Sequence, residues 1–161
     1  MGTIDLSRLR IGDGVIRDYT RTEFKSSDLI KSLLTFSEEH FRGIFSIEVL
    51  NNESGIITIS PDGLAFFLKM LLFRVYGRTE VRATINCERR VMHVTFDLGG
   101  ADIDTSGLFE IAEKSGFEVT VLGDGQFMLD TEVKRTNVLK VYAGDVDAFL
   151  RYLYAAFFIN E

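Results

Sequence analysis

The sequence predicts a two-layer α/β sandwich, in which one mixed β-sheet carries helices mainly on one face. Segments with helical spacing of apolar residues occur along the same chain as segments in which apolar and polar residues alternate, as strands require. A hydrophobic content of 46% in 161 residues is enough for one core. With a single proline and no repeat or low-complexity stretch, residues 1–161 are expected to form one domain.

The first predicted elements are a strand and a helix. The strand covers about Val15 to Phe24. Ser26 or Ser27 is the expected cap of the helix, and Asp28 in its first turn complements the helix dipole. Apolar positions then keep a helical spacing as far as Gly43, which is the expected end of the helix.

Two strands and the clearest helix start of the chain follow. Ile44–Leu50 and Gly55–Ser60 are predicted strands, joined by a polar turn. The helix starts at Ser60-Pro61-Asp62, where a capping hydroxyl precedes a proline whose missing N–H is not needed at the first helical position. A broad apolar stripe continues this helix until Gly77, a natural terminator.

The middle of the chain predicts two paired strands and a short helix. Glu80–Asn86 and Val91–Asp97 alternate in the manner of neighbouring strands. The helix covers Leu108–Lys114, and either Asp104 or Thr105 is its expected cap.

The last third predicts a hairpin and two further elements. Phe117–Leu122 and Gln126–Thr131 flank Gly123–Gly125, whose glycines suit a tight turn. Val138–Tyr142 is a predicted strand, and Asp145 is the expected cap of a final helix. That helix is too short to cross a bilayer.

Composition excludes several function classes. A net charge of −6 without clustered Lys or Arg argues against nucleic-acid binding. The single Cys87 excludes an internal disulfide and a multi-cysteine metal site, suits a reducing cytoplasm, and is expected to be a small strand residue. The N-terminus carries no basic-then-apolar export signal.

The candidate chemical groups do not form a catalytic set. His40 is expected near a helix end and His93 in mid-strand, hydrogen-bonded to a neighbour, and neither is favoured as a phosphate carrier. Asp97, Asp102 and Asp104 lack the pattern of a calcium loop, and no serine lies in a nucleophile elbow. We therefore expect neither catalytic residues nor a metal site.

Several aromatic residues fall off the main apolar stripes of their helices. Exposed aromatic side chains rimmed by charge are typical of protein contact sites. The residues concerned are Phe66, Phe73, Tyr76, Tyr152, Tyr154 and Phe158.

Four segments resemble the ATP-binding domain of histidine kinases, a Bergerat-like GHKL domain. "TEFKSSDLIKSLLTFSEEHF" is similar to its opening helix and "SPDGLAFFLKMLLFRVYG" to its second helix. "VTFDLGGADI" resembles its first glycine box, with Asp97 and Gly99 matching and Ala101 in place of the last glycine. "LFEIAEKSGFEVTVLGDGQFMLDT" resembles its closing helix and hairpin. The resemblance covers about residues 20–131, to which residues 132–161 add a strand and a helix.

The departures from the family indicate a degenerate domain. Arg74 stands where the family has the asparagine that holds magnesium, and a guanidinium cannot coordinate a cation. Only Asp102–Gly107 separates the glycine box from the closing helix, so the ATP lid is missing, and the chain has no room for the dimerisation and phosphoacceptor hairpin. The resemblance implies that Asp97, Gly99 and Arg74 would contact a nucleotide if one binds. The alternative role of Asp97 is turn chemistry.

These features predict a non-catalytic regulatory or protein-interaction domain of bacterial signalling, located in the cytoplasm. Its expected partner is another protein or a second copy, with no nucleic acid and no membrane span. No cofactor is expected beyond weak binding of an adenine nucleotide, and magnesium is not expected. The residues leave two alternatives open: a nucleotide-binding GHKL protein with residual ATPase or kinase activity, and an unrelated α/β binding domain.

Overall fold

The fold was analysed in a computed structural model that describes residues 19–135 and 147–158. Within these ranges the chain forms seven strands and four helices. The strands are β1 (Thr22–Lys25), β2 (Phe45–Asn52), β3 (Ile56–Ile59), β4 (Val81–Cys87), β5 (Val91–Asp97), β6 (Glu118–Gly123) and β7 (Gln126–Glu132). The helices are α1 (Ser26–His40), α2 (Pro61–Val75), α3 (Leu108–Lys114) and α4 (Asp147–Phe158).

The main sheet is mixed, as predicted. Its five strands have the order β2-β4-β5-β7-β6. The β2–β4 pair is parallel and the other three pairs are antiparallel. Strands β1 and β3 form a separate antiparallel two-stranded sheet, which the bridge between Ile56 and Lys134 joins to the chain after β7.

Helices cover one face of the main sheet. Alternate residues of the central strands, among them Ala83 and Ile85 on β4 and Val94 and Phe96 on β5, are buried in the core that the helices share. The residues between them are half-buried or exposed on the opposite side, which we call the open face. Helix α4 packs against α1 and α2. The predicted arrangement of helices mainly on one face is therefore confirmed.

Helix α2 begins where the sequence predicts. Ser60 Oγ accepts a hydrogen bond from Gly63 N at 3.0 Å, and Pro61 occupies the first turn. The same turn contacts the end of α3, because Ser60 N donates to Ser115 O at 2.8 Å. At Gly63 the approach is so close that an added Cβ would lie 1.9 Å from Ser115 Oγ.

The predicted cap of α1 is wrong. Lys25 is the residue at the capping position, and its side chain makes no capping hydrogen bond. Ser26 Oγ does not cap the helix either, because it accepts a hydrogen bond from Gly55 N at 3.0 Å. This buried hydroxyl joins the helix to the segment before β3. The helix also ends at His40 rather than at Gly43, because the amides of Ile44 and Phe45 both bond to Phe41 O in the turn that leads into β2.

Helix α3 has the predicted bounds but not the predicted cap. Gly107, with a φ of 74°, is the capping residue and has no side chain to offer. Asp104 is used one turn earlier, where its Oδ1 accepts a hydrogen bond from Ser106 N at 2.9 Å. Thr105 contributes only its carbonyl oxygen, which accepts a hydrogen bond from Leu108 N.

Strands β2 and β3 lie in different sheets although a short polar turn joins them.

At the N-terminal side, β1 covers only the end of the strand predicted from Val15, and residues 15–18 are outside the described residues. The predicted strand Val138–Tyr142 and the predicted cap Asp145 are also outside them. None of the described helices is both long and apolar enough to span a bilayer.

Cys87 and His93 have the structural roles expected for them. Cys87 is fully buried at the end of β4, where its Sγ donates to Glu53 O at 3.2 Å. Burial raises the pKa of this thiol, which disfavours the reactive thiolate. His93 Nδ1 on β5 lies 2.5 Å from Asp130 Oδ1 on β7, directly across the strand pair.

The cap of α2 predicts a measurable loss of stability. In Ser60→Ala the buried Gly63 amide loses its acceptor, so we expect the free energy of unfolding to fall by about 1 to 2 kcal/mol. Chemical denaturation measures this. Ser27→Ala is the matched control, because Ser27 caps nothing, and it should change stability by less than about 0.5 kcal/mol. Equal losses in the two variants would contradict the assignment.

Candidate ligand site at the glycine turn

The chain turns sharply after β5, at the predicted glycine box. Asp97 Oδ1 accepts a hydrogen bond from Gly99 N at 2.8 Å. Gly99 and Gly100 have φ values of 64° and 78°, a backbone region that favours glycine. The Asp-x-Gly pattern thus forms an aspartate turn, and one carboxylate oxygen of Asp97 is engaged in it.

The tip of the β6–β7 hairpin packs directly on this turn. Leu98 N donates a hydrogen bond to Gly125 O at 2.7 Å. An added Cβ on Gly125 would lie 3.0 Å from both Gly100 N and Gly100 Cα. Only glycine at 125 allows the two turns to touch.

Arg74 in the last turn of α2 and Arg78 just beyond the helix hold the far side of the loop that follows the glycine turn. Arg74 Nη1 donates to Asp104 O at 2.7 Å, and Arg78 Nη1 donates to Asp102 O at 3.3 Å. The connection from β5 to α3 is therefore fastened at its start by the aspartate turn and near its end by guanidinium groups. We call these two arginine contacts the arginine clamp.

The clamp also affects the carboxylate of Asp104. Hydrogen bonds from the Ser106 hydroxyl and the Ser106 amide lower the pKa of Asp104, and the positive charge of Arg74 lowers it further. Asp104 therefore carries its charge at the end of a loop that the clamp ties to α2.

A cavity of about 500 Å³ lies beside the glycine turn. Leu98, Phe109 and Phe127 contribute apolar walls. Asp102 and Asp124 are the charged lining residues, so the lining includes no Lys or Arg. Such a volume is typical of small-molecule sites.

Side chains that could bind a metal ion are dispersed in the part of the chain that the structure describes. There, no group of three or more His, Cys, Asp or Glu side chains is placed to hold a metal ion. His93 lies in mid-strand on the open face, bonded to Asp130.

The predicted nucleotide contacts are divided between the two ends of one loop. Asp97 and Gly99 meet at its start, whereas Arg74 is bonded near its end. Arg78 and Gly125 were not predicted as parts of this region. Arg74 and Arg78 near the end of α2 were visible in the sequence as basic residues. Their carbonyl acceptors could not be predicted, because these depend on where the loop lies in space.

The order of elements from α2 to the hairpin is the one that the resemblance implies. Helix, two antiparallel strands, glycine turn, short helix and hairpin follow one another. The protein is therefore an α+β domain similar in fold to the ATPase domains of histidine kinases.

Comparison with protein-family models gives no match, and comparison with curated proteins gives none either. Solved structures do match. The cytoplasmic segment of histidine kinase QseC is 17% identical, with a TM-score of 0.44, over 81% of this chain and 87% of that one. The histidine kinase domain of the E. coli osmosensor EnvZ is 7% identical, with a TM-score of 0.44, over 82% and 98%. Acinetobacter baumannii histidine kinase AdeS is 8% identical, with a TM-score of 0.46, over 82% and 74%.

The hydrogen bonds to Asp104 predict a lowered pKa of its carboxyl group, which NMR can measure. The carboxyl group of Asp104 should titrate below its ordinary value of 3.8. Because the folded pKa is depressed, the charged form stabilises the fold above the unfolded value, and this contribution is lost as the pH falls through the lower folded value. Ser106→Ala removes the hydroxyl donor and should move the carbon-detected titration midpoint upward.

Ser46→Ala, an exposed serine on β2, provides the control and should leave the Asp104 midpoint unchanged. A midpoint that does not move in Ser106→Ala would contradict the hydrogen-bond assignment.

Proposed function

We propose that this chain is a non-catalytic regulatory domain of bacterial signalling, built on a histidine-kinase-like ATPase scaffold and acting in the cytoplasm by binding another protein. The observation that carries the proposal is the arginine clamp. Where the family resemblance implies a magnesium ligand, Arg74 donates a hydrogen bond to the Asp104 carbonyl. A group that catalysis needs is replaced by one that holds a loop.

The charge of Arg74 opposes the chemistry of a kinase. Phosphoryl transfer from ATP uses a divalent cation to neutralise the phosphates, and a guanidinium at the metal position repels that cation. One N–H of Arg74 already donates to the Asp104 carbonyl, and this bond orients the guanidinium toward the loop.

The cavity beside the glycine turn is poorly suited to a triphosphate. Its charged lining residues, Asp102 and Asp124, would repel phosphate oxygens. The short loop supplies no second set of glycine amides, such as those that cradle phosphates in the family. An ATPase would need other groups to neutralise the triphosphate and to donate hydrogen bonds to its phosphates.

Exposed aromatic side chains support a role in protein binding. Of the predicted aromatic set, Tyr76 after α2 and Phe158 at the end of α4 are 45% and 41% exposed, whereas Phe73, Tyr152 and Tyr154 are partly buried against the core. Phe158 also packs with Tyr154 against the buried His40, so that both rings take part in the α1–α4 contact.

A second candidate function is binding of an adenine nucleotide, with residual ATPase or kinase activity. The cavity favours it, since about 500 Å³ accommodates a purine between apolar walls. In this alternative the second carboxylate oxygen of Asp97 would read the adenine amino group and Gly99 would lie against the ring, although the cavity is lined by Leu98 and Gly100 and by neither of these two residues.

Nucleotide titration separates the two candidates. We expect ATP, ADP and adenosine to leave the melting temperature unchanged with or without magnesium, because a ligand stabilises only a fold that binds it. Differential scanning fluorimetry measures this, and a phosphate-release assay should show no hydrolysis above buffer. Magnesium-dependent stabilisation by ATP would overturn the proposal.

Asp97→Asn tests the second candidate separately. If adenine binds, this variant should abolish any stabilisation by adenosine, whereas Glu88→Gln, an exposed carboxylate in the β4–β5 turn, should preserve it. Stabilisation that survives in Asp97→Asn would exclude the adenine-reading role of Asp97.

A further inference from the structure

The open face of the main sheet presents rows of paired side chains. In the central row Thr84, Thr95, Met128 and Thr120 follow one another across β4, β5, β7 and β6. Glu48 on β2 extends the same row at the other edge. Since directly paired residues point to the same side of a sheet, these side chains share one surface.

The next row shows that the surface is polar and ordered. Asn51 Nδ2 donates to Asn86 Oδ1 at 2.8 Å, and Asn86 pairs with His93. His93 bonds Asp130, and these two side chains are 28% and 20% exposed. Glu118 pairs with Asp130 at the β6 edge.

Charge on the open face has one dominant sign. Among the described residues, Arg82 is the one Lys or Arg side chain of this face within the strand pairs, and it lies opposite Asp97. Arg89 and Arg90 lie in the turn beyond the strand ends, together with Glu88, and the exposed Lys134 and Arg135 follow Glu132 at the same end of the sheet. The carboxylates of the face are Glu48, Asp97, Glu118, Asp130 and Glu132.

The distribution of these groups matches the anatomy of a protein interface. Thr84, Thr95 and Met128 at the centre are half-buried and present methyl groups and a thioether. Glu48, Glu118 and Glu132 at the periphery are exposed. Interfaces commonly have a less polar centre and a charged rim.

The negative charge of the open face determines which partners could bind there. A second copy placed face to face would bring like carboxylates together, and the phosphates of a nucleic acid would be repelled in the same way. The described residues hold no cluster suited to a metal ion. A protein surface rich in Lys and Arg is complementary.

We propose that the open face is the partner-binding surface and that its partner presents a basic protein surface, with Lys or Arg side chains meeting Glu48, Glu118 and Glu132. This inference rests on the proposed function, which supplies a protein partner but not its chemistry. Carboxylates spread over β2, β6 and β7 attract a cationic surface at long range and hold it at contact.

Hexalysine is a defined probe of this chemistry. Titrated into the ¹⁵N-labelled chain at low ionic strength, it should shift amides of β4, β5 and β7 more than those of α1, α2 and α3. The shifts should diminish as salt is added, because exposed charges are screened. Hexaglutamate, the same length with opposite charge, should shift neither set.

Two double variants test the location. Glu118→Gln/Glu132→Gln neutralises the rim and should weaken hexalysine binding by about fivefold or more, whereas Glu38→Gln/Glu113→Gln removes the same charge on α1 and α3 and should change it by less than about twofold. All four residues are exposed, so both variants should fold.

Equal weakening in both variants, or shifts concentrated on the helices, would overturn the inference. Dimerisation through the open face, seen by sedimentation and lost in the rim variant, would overturn it as well. These results are independent of nucleotide titration: magnesium-dependent binding of ATP would refute the proposed function, whereas a failed hexalysine experiment would refute only this surface and its chemistry.

Discussion

The close approach of α2 to the end of α3 at Gly63 is the constraint on which the arrangement of this domain depends. An added Cβ on Gly63 would lie 1.9 Å from Ser115 Oγ, and Ser60, whose side chain caps α2, also donates its amide to Ser115 O. The start of α2 is thereby fixed to the end of α3. The other end of α2 then lies beside the loop that leads into α3, where Arg74 Nη1 donates a hydrogen bond to Asp104 O.

Phe127 connects this helical layer to the sheet. Its ring stacks on Phe96 at 5.2 Å and meets Phe109 of α3 at 5.1 Å, while Phe67 of α2 lies 6.1 Å away. The same ring forms a wall of the cavity beside the glycine turn. Because strand residues alternate in direction, the neighbour of Phe127, Met128, lies on the open face. One strand therefore serves both the core and the proposed binding surface.

Much of the fold could be predicted because local signals were strong. Ser60-Pro61-Asp62 specifies a helix start through a hydroxyl acceptor and a fixed φ, and strands β4 and β5 alternate clearly. The predicted cap of α1 failed because Ser26 turned its hydroxyl to Gly55 instead of its own helix, a choice that only packing against a distant segment makes. For the candidate site, Asp97 and Gly99 were predictable as a turn. Arg74 was recognised as a departure, but its carbonyl partner was not.

The sequence by itself determined most of the described elements and the acidic character of the chain, because hydrophobic period, turn residues and charge are properties of short segments. Tertiary structure alone decided that Arg74 meets Asp104, that His93 meets Asp130, and that the carboxylates of β2, β6 and β7 share one face. These contacts join residues far apart in the chain. Their partners are set by strand order and register, which no local pattern contains.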